Sequence, residues 1–481
     1  MKAKIITVLS VLLSILLASC STDSKPESNI DVYGAIATDI PASAEEIIEH
    51  RFPEQDYGGF EFRILARDND WDKMEADFDE PQSEPVYDAV YRRNLAVEEL
   101  YNVKITGVMT TGDIYSMVRN SYNAGDHEYD LVLTSMADSA RLGREGFLRN
   151  FTDMDGIDIK NSWWDQNIYK DLSINGNIFF MTGDMNVRDN DNSWIILFNK
   201  KLLQNFSLES PYELVKNGTW TFDKMAEMGK AAISDLNGDG VYDANDRYGL
   251  VTTTEGGKNF FYAAGLKVIE KDSQGNLEIT LFNDHSQNAI NKINDFFNNG
   301  NFTFYKVNSW QQAENMFAND QSLFYGEIVT HIINLRNMDT DFGILPTPKY
   351  DKNQENYYTH IASNGTALTI PNILPDEERT GNIIEALGYY GKKYLTPAFN
   401  EVALVSKYAR DDESAEMLDI IWNSVRYDIG YLFDIGGMSD ITTTLISQNK
   451  PENFQAVYEK NLGRAERDIE NLIGAYNKLR E

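Results

Sequence analysis

Residues 60–66 (Phe-Glu-Phe-Arg-Ile-Leu-Ala) alternate apolar and polar positions with a period near two, the mark of a half-buried strand. Residues 83–101 then space their apolar side chains three and four apart, which predicts a helix. Residues 103–108 read as a second strand, 114–122 as a helix and 130–134 as a short buried strand. Strands and helices taking turns predict an α/β fold with a mostly parallel sheet. Further on, 177–182 are strand-like, 223–233 helical, 248–253 and 323–327 strand-like, and 377–390 helical. Near the end Tyr458, Leu462, Ala465, Ile469, Leu472, Tyr476 and Leu479 recur at four- and three-residue steps. That stripe predicts a helix docked on its own protein rather than a partner coiled coil.

The chain has 481 residues, 42% of them hydrophobic, enough for two or three domains. Acidic residues number 75 against 43 basic, a net charge of −32. A field of that sign repels nucleic acid and anionic membrane surfaces, so no nucleic-acid partner is expected; the plain reading is the solubilising surface of an exported, monomeric protein. Cys20 is the only cysteine, which rules out an internal disulfide and a cysteine-based metal or redox site. His50, His127, His285, His331 and His360 are scattered without metal spacing.

The N-terminus is segregated differently. Residues 1–19 place Lys2 and Lys4 before the apolar run 5–17 and end on small residues, the layout of an export signal. Leu17-Ala18-Ser19-Cys20 resembles the bacterial lipobox, in which the cysteine is lipidated and becomes the new N-terminus. Residues 20–57, rich in Ser, Pro and Glu, are expected to be a lipidated flexible tether between membrane and fold, which would begin at Phe60.

Residues 235–246 carry a denser chemistry. Asp235, Asn237, Asp239 and Asp243 set side-chain oxygens at loop positions 1, 3, 5 and 9, Val241 offers its carbonyl at position 7, Asp246 closes at position 12, and Gly240 supplies the turn at position 6. Four carboxylates so close repel one another unless a cation of high charge lies between them. The spacing is that of a calcium loop, with Asp in place of the longer closing Glu, so weak binding is expected. A helix enters and a strand leaves, which points to a structural Ca²⁺ clamp rather than a helix-loop-helix sensor.

In α/β sheets ligands gather at the carboxyl ends of strands, which singles out Arg67, Asp68 and Trp71 after the first strand and Ser135 and Asp138 after the third. Trp71, among acidic and amide neighbours, is either a platform for a sugar ring or a partly buried lid residue.

Gly183-Asp184 followed by Trp194-Ile195-Ile196-Leu197-Phe198-Asn199-Lys200-Lys201-Leu202 resembles the first crossover of the family 1 extracellular solute-binding proteins, lipoproteins that feed sugars to ABC importers. Arg93-Asn94, Gly218-Thr219-Trp220-Thr221, the calcium loop running into Tyr248-Gly249, and Phe342-Gly343-Ile344-Leu345-Pro346 match in the same order. The resemblance implies two α/β lobes of the type II periplasmic-binding-protein fold, a hinge, a carbohydrate in the cleft and ABC permease subunits as partner. It implies a first lobe of 58–185 with 355–395 and a second of 186–354 with 396–481. Asp191, Trp194, Trp310, Tyr325, Glu327 and Trp422 join the candidate ligand residues on that basis.

No Gly-x-Ser-x-Gly elbow and no His-Glu-x-x-His helix is present. A carboxylate pair is a matter of geometry, so an exported polysaccharide-acting enzyme of the glycoside hydrolase type stands as the alternative. A calcium-dependent cell-surface binding module is a third reading: the loop resembles half of a dockerin, although dockerins need two.

Overall fold

The computed structural model describes residues 50–68, 76–402 and 410–478. Cys20, Trp71 and Leu479 lie outside the described residues, as does most of the expected tether.

In chain order the first lobe is built from β1 (Phe60–Arg67), α1 (Pro85–Tyr101), β2 (Val103–Thr110), α2 (Ile114–Ala124), β3 (Leu131–Ser135), α3 (Met136–Arg144) and α4 (Gln166–Leu172). The start of α1 follows from its sequence: Glu84 accepts the Tyr87 N–H and Pro85 opens the first turn. Asn102 in the left-handed region, φ 49°, ends it. Its inner face buries Ala89, Val90, Arg93, Asn94, Val97 and Tyr101. Arg93 is fully enclosed, donating to Asn94 Oδ1 and to the Met185 carbonyl just before the chain crosses to the second lobe. The Arg93-Asn94 pair is thus a fastening of the crossing.

The second lobe holds β4 (Trp194–Asn199), α5 (Phe222–Lys230), β5 (Tyr248–Thr252), α6 (Gly256–Ala263), the hairpin β6 (Ile269–Lys271) and β7 (Leu277–Ile279), α7 (Asp284–Asn298), β8 (Thr303–Phe304), α8 (Trp310–Ala318), β9 (Ser322–Ile328) and β10 (Phe342–Leu345). The chain returns through β11 (Thr359–His360) to β12 (Thr366–Thr369) and α9 (Glu377–Tyr390), crosses again to α10 (Asp412–Asn423), passes β13 (Val425–Arg426) and ends in α11 (Phe454–Lys478).

The sheets run β12-β3-β1-β2 and β10-β4-β9-β5-β8. Both are mostly parallel, as expected, with one reversed strand each: β12 opposes β3, and β4 opposes both β9 and β10. The reason is the crossings, which re-enter each sheet from the lobe boundary instead of through a helix. The strand expected over 177–182 is reduced to single bridges at Asn177 and Met181.

Two further boundaries move. Residues 50–57 are part of the fold: the Phe52 ring lies 5.2 Å from Tyr389 and 6.0 Å from Tyr390, and the Tyr57 N–H donates to Tyr101 O at 2.8 Å. Aromatic burial outweighs the polar composition that suggested a tether. The C-terminal segment serves both lobes. Near α10, Ser414 Oγ accepts the Ile344 N–H in the second lobe, whereas the far end of α11 sets Tyr476 4.7 Å from Phe179 in the first. The predicted stripe does face inward: Ala465, Ile469, Leu472 and Tyr476 are buried. Its close seat requires Gly436, at φ +61°, where a Cβ would stand 2.7 Å from that of Ala465.

Among the described residues no helix is long and apolar enough to cross a membrane.

Candidate functional site

Parallel register places the ends of β1 and β3 side by side, with Ile64 opposite Leu131 and Leu65 opposite Val132. Arg67 therefore emerges next to the first turn of α3, where its Nη2 lies 3.5 Å from Asp138 Oδ2. Ser135 caps that helix: its Oγ accepts the Asp138 N–H at 3.1 Å and donates to Asp138 Oδ2 at 3.0 Å. Capping fixes the first turn of the helix and holds the Asp138 carboxylate beside its positive end. Arg67 and Asp138 both stay accessible, with side chains 45% and 27% exposed, so a guanidinium and a carboxylate are presented together to solvent.

From there hydrogen bonds lead to the other lobe. Met136 N–H and Ala137 N–H donate to Gly365 O and Ser363 O, Ala362 N–H donates to Asn192 O, and Val329 N–H donates to Ser193 O. Thr330 Oγ1 donates to Asp191 O at 2.8 Å. Asp191 itself is buried and ion-paired with Arg188, so its part is to brace the crossing.

At the end of this path lies the mouth of β9. Glu327 is buried; its Oε1 accepts the Ile328 N–H at 3.0 Å and its Oε2 stands 3.6 Å from His331 Nδ1. The His331 ring stacks on Trp310 at 4.3 Å with 17° between planes. Burial raises the neighbouring Glu314 carboxyl above its ordinary range, against the Asn334 amide that lowers it. A half-buried indole beside a histidine and carboxylates is a surface on which a polyhydroxylated ring can both stack and hydrogen-bond.

Arg67, Ser135 and Asp138 thus come together on one lobe, with Asp68 next along the chain and bonded through its N–H to Thr110 O, and Trp310 and Glu327 on the other. Three candidates are enclosed or fall elsewhere. Tyr325 lies wholly inside the second lobe, stacked on Phe317 at 5.5 Å, because β9 is covered on that face by α8. Its role is packing. Trp194 is buried opposite Ile328 where β4 begins. Trp422 packs 5.5 Å from Phe399 and lines a cavity of about 240 Å³ with Trp164 and Tyr427, which includes none of the strand-end residues. His331 and Arg188 are residues that sequence reasoning passed over. The available signal was spacing, since His331 follows Glu327 by four and Arg188 precedes Asp191 by three.

In the loop 235–246 the polar side chains turn onto the loop's own backbone. Asp235 accepts the N–H groups of Gly240 and Gly238, at 2.8 Å and 2.6 Å, which hold its carboxyl below the usual range. Buried Asp246 accepts from Leu236 and Asp243, each at 2.9 Å, the short side chain staying close to the backbone. Gly240 has φ +81°, as a sharp turn at position 6 requires. Among the described residues no group of three or more His, Cys, Asp or Glu side chains stands together as a metal site. The loop's oxygen donors also include Asn237 and the Val241 carbonyl.

No family model matches the sequence, and no curated protein matches it. Solved structures do resemble the fold. A cyclo/maltodextrin-binding protein complexed with maltotetraose matches with a TM-score of 0.57 and 13% identity over 88% of this chain and 98% of that one. UgpB from Mycobacterium tuberculosis in complex with glycerophosphocholine matches with a TM-score of 0.55 and 14% identity over 86% and 99%. An ABC substrate-binding protein from Listeria monocytogenes in complex with cycloalternan matches with a TM-score of 0.50 and 12% identity over 87% and 98%. The fold is the two-lobed, type II periplasmic-binding-protein-like one that the sequence led us to expect.

Proposed function

We propose that this chain is an extracellular solute-binding lipoprotein that captures a carbohydrate, an oligosaccharide, between its lobes and delivers it to an ABC permease. One observation carries the reading: an accessible Arg67–Asp138 pair lies on one lobe and the Trp310–His331 stack on the other, with backbone hydrogen bonds at the crossings between them. Polar groups that grip hydroxyls and a ring that covers a sugar face sit on two bodies joined by crossings. A ligand that touches both favours the closed arrangement by its differential affinity for it. Permease subunits would distinguish closed from open by the lobe rims. Binding proteins of this architecture hold maltotetraose and cycloalternan, which supports the sugar reading.

The lipid anchor at Cys20 and the structural calcium belong to the same proposal. Replacing Cys20 with Ala should release the protein from membranes and abolish labelled palmitate incorporation; unchanged labelling sinks the anchor. For the sugar, the measurement is calorimetry of the purified chain against a glycan panel, followed by chromatography after long incubation. Reversible heat with the glycan left intact is expected. New, shorter sugars would turn the reading to a glycoside hydrolase, and no heat with any glycan would end the carbohydrate reading.

A further inference from the structure

A cavity of about 670 Å³ lies between α4 of the first lobe, the returning segment 355–358, and the end of α10 with β13. None of Arg67, Ser135, Asp138, Trp310 or Glu327 lines it. Its volume falls in the range of small-molecule sites, roughly 300–1,000 Å³.

The lining chemistry narrows the occupant. Lys170 and Arg426 line it together with Glu355 and Asp419, two charges of each sign, while Asp171 is engaged at 2.8 Å by Lys267. A balanced wall gives no preference for an anion or a cation. Three amides, Asn167, Asn356 and Asn423, add donors and acceptors in equal supply. Tyr357 and Tyr358 make the aromatic part of the wall; the Arg426 guanidinium lies 4.6 Å over the Tyr358 ring and holds it in place. Alternating hydroxyl donors and acceptors on a compact neutral body satisfy such a wall; an ion or an apolar molecule does not.

We propose that this cavity is a second binding site, for a small neutral polyol of mono- or disaccharide size. Asn167, Asn423 and Val425 also line the adjoining 240 Å³ cavity, so the two spaces meet along one edge. Because the walls belong to both lobes and to a crossing, the occupant's affinity depends on the lobe angle, and by linkage its presence alters that angle.

The test uses the full chain and the probes glucose, maltose and maltotetraose, read by calorimetry and ligand-observed NMR. Asn423→Trp places an indole in the shared edge and should weaken at least one probe tenfold or more. Tyr358→Ala, which removes wall surface without adding bulk, should do the same, and carries the test if the first variant does not fold. The inference is overturned if no probe loses affinity in a folded variant of either kind, or if wild type binds none of the three. Asp138→Ala separates this from the proposed function. If every probe binds Asp138→Ala as it binds wild type while Asn423→Trp still weakens one, the cleft reading fails and this site stands.

Discussion

Tyr325 and Trp310 show how much a residue's chemistry depends on what covers it. Both are aromatic and near one strand mouth, yet Tyr325 is wholly enclosed against Phe317 while Trp310 is half-buried under His331. Tyr325→Ala should lower unfolding free energy by about 3–5 kcal/mol, as large aromatic truncations in a core do, read from the denaturant midpoint. Trp310→Ala should leave that midpoint nearly in place and cost on the order of 1–3 kcal/mol of glycan binding. A reversed pattern would exchange their roles. Buried titratable groups give a pH prediction. Burial pushes Glu385 up to about 7, with hydrogen bonds from Trp164 and Asn161 pulling the other way. The folded chain then keeps a proton that the unfolded chain releases above about 4.5, so stability falls as pH rises from there to about 7. The amount is on the order of 3 kcal/mol. His360 acts oppositely: burial lowers it to about 3, and stability is lost as pH falls below 6.5. Glu385→Gln should therefore gain on wild type as pH rises from 4.5 to 7, in urea midpoints taken across that window; a constant difference would refute the assignment.

Among elements, the loop 235–246 is bounded as its sequence foretold, with α5 before it and β5 after it. Its base is closed by the pairing of Ser234 with Arg247, and Tyr248 OH donates to Asp243 O at 2.9 Å. Backbone N–H groups already satisfy several oxygens, so the turn is preformed and an ion would add stability by mass action rather than create the loop. Millimolar Ca²⁺ added to chelator-treated protein should raise its melting temperature, since extracellular modules bind at about 10⁻⁴ to 10⁻³ M. Asp239→Ala should erase that rise; an unshifted wild type would count against calcium. The hairpin β6–β7 is an element that periodicity left unmarked, its strands being three residues each. It reaches the other lobe: Lys267 pairs with Asp171, and Lys271 Nζ donates to Lys170 O at 2.8 Å.

Across the whole molecule, these contacts tie the two lobes together on the hairpin side. The Lys267–Asp171 pair is largely buried, 8% and 12% exposed, and Tyr427 OH donates to Asp165 at 2.7 Å beside it. In the proposed closure such a tie would make the hairpin side the pivot, with the strand ends closing on the ligand. X-ray scattering should show a smaller radius of gyration with a bound glycan than without. Asp171→Asn, which strands Lys267 without its partner, should cost stability by about 3–5 kcal/mol. An unchanged radius under saturating glycan would refute closure.

Alternation and spacing in the sequence determined β1, α1, β2, α2, β3 and α9 of the first lobe, the calcium-type loop and the inward stripe of α11, because each follows from a period or a short run of fixed offsets. Residues 67 and 135–138 were legible for the same reason: strand ends can be counted. The sequence could not say that β12 would oppose β3, that Phe52 would leave the polar tether for Tyr389, or that Tyr325 would be covered and Trp310 half-open. Those outcomes depend on partners hundreds of positions apart. The crossings bring such partners together, and neither local propensity nor hydrophobic pattern records which face a distant helix will cover.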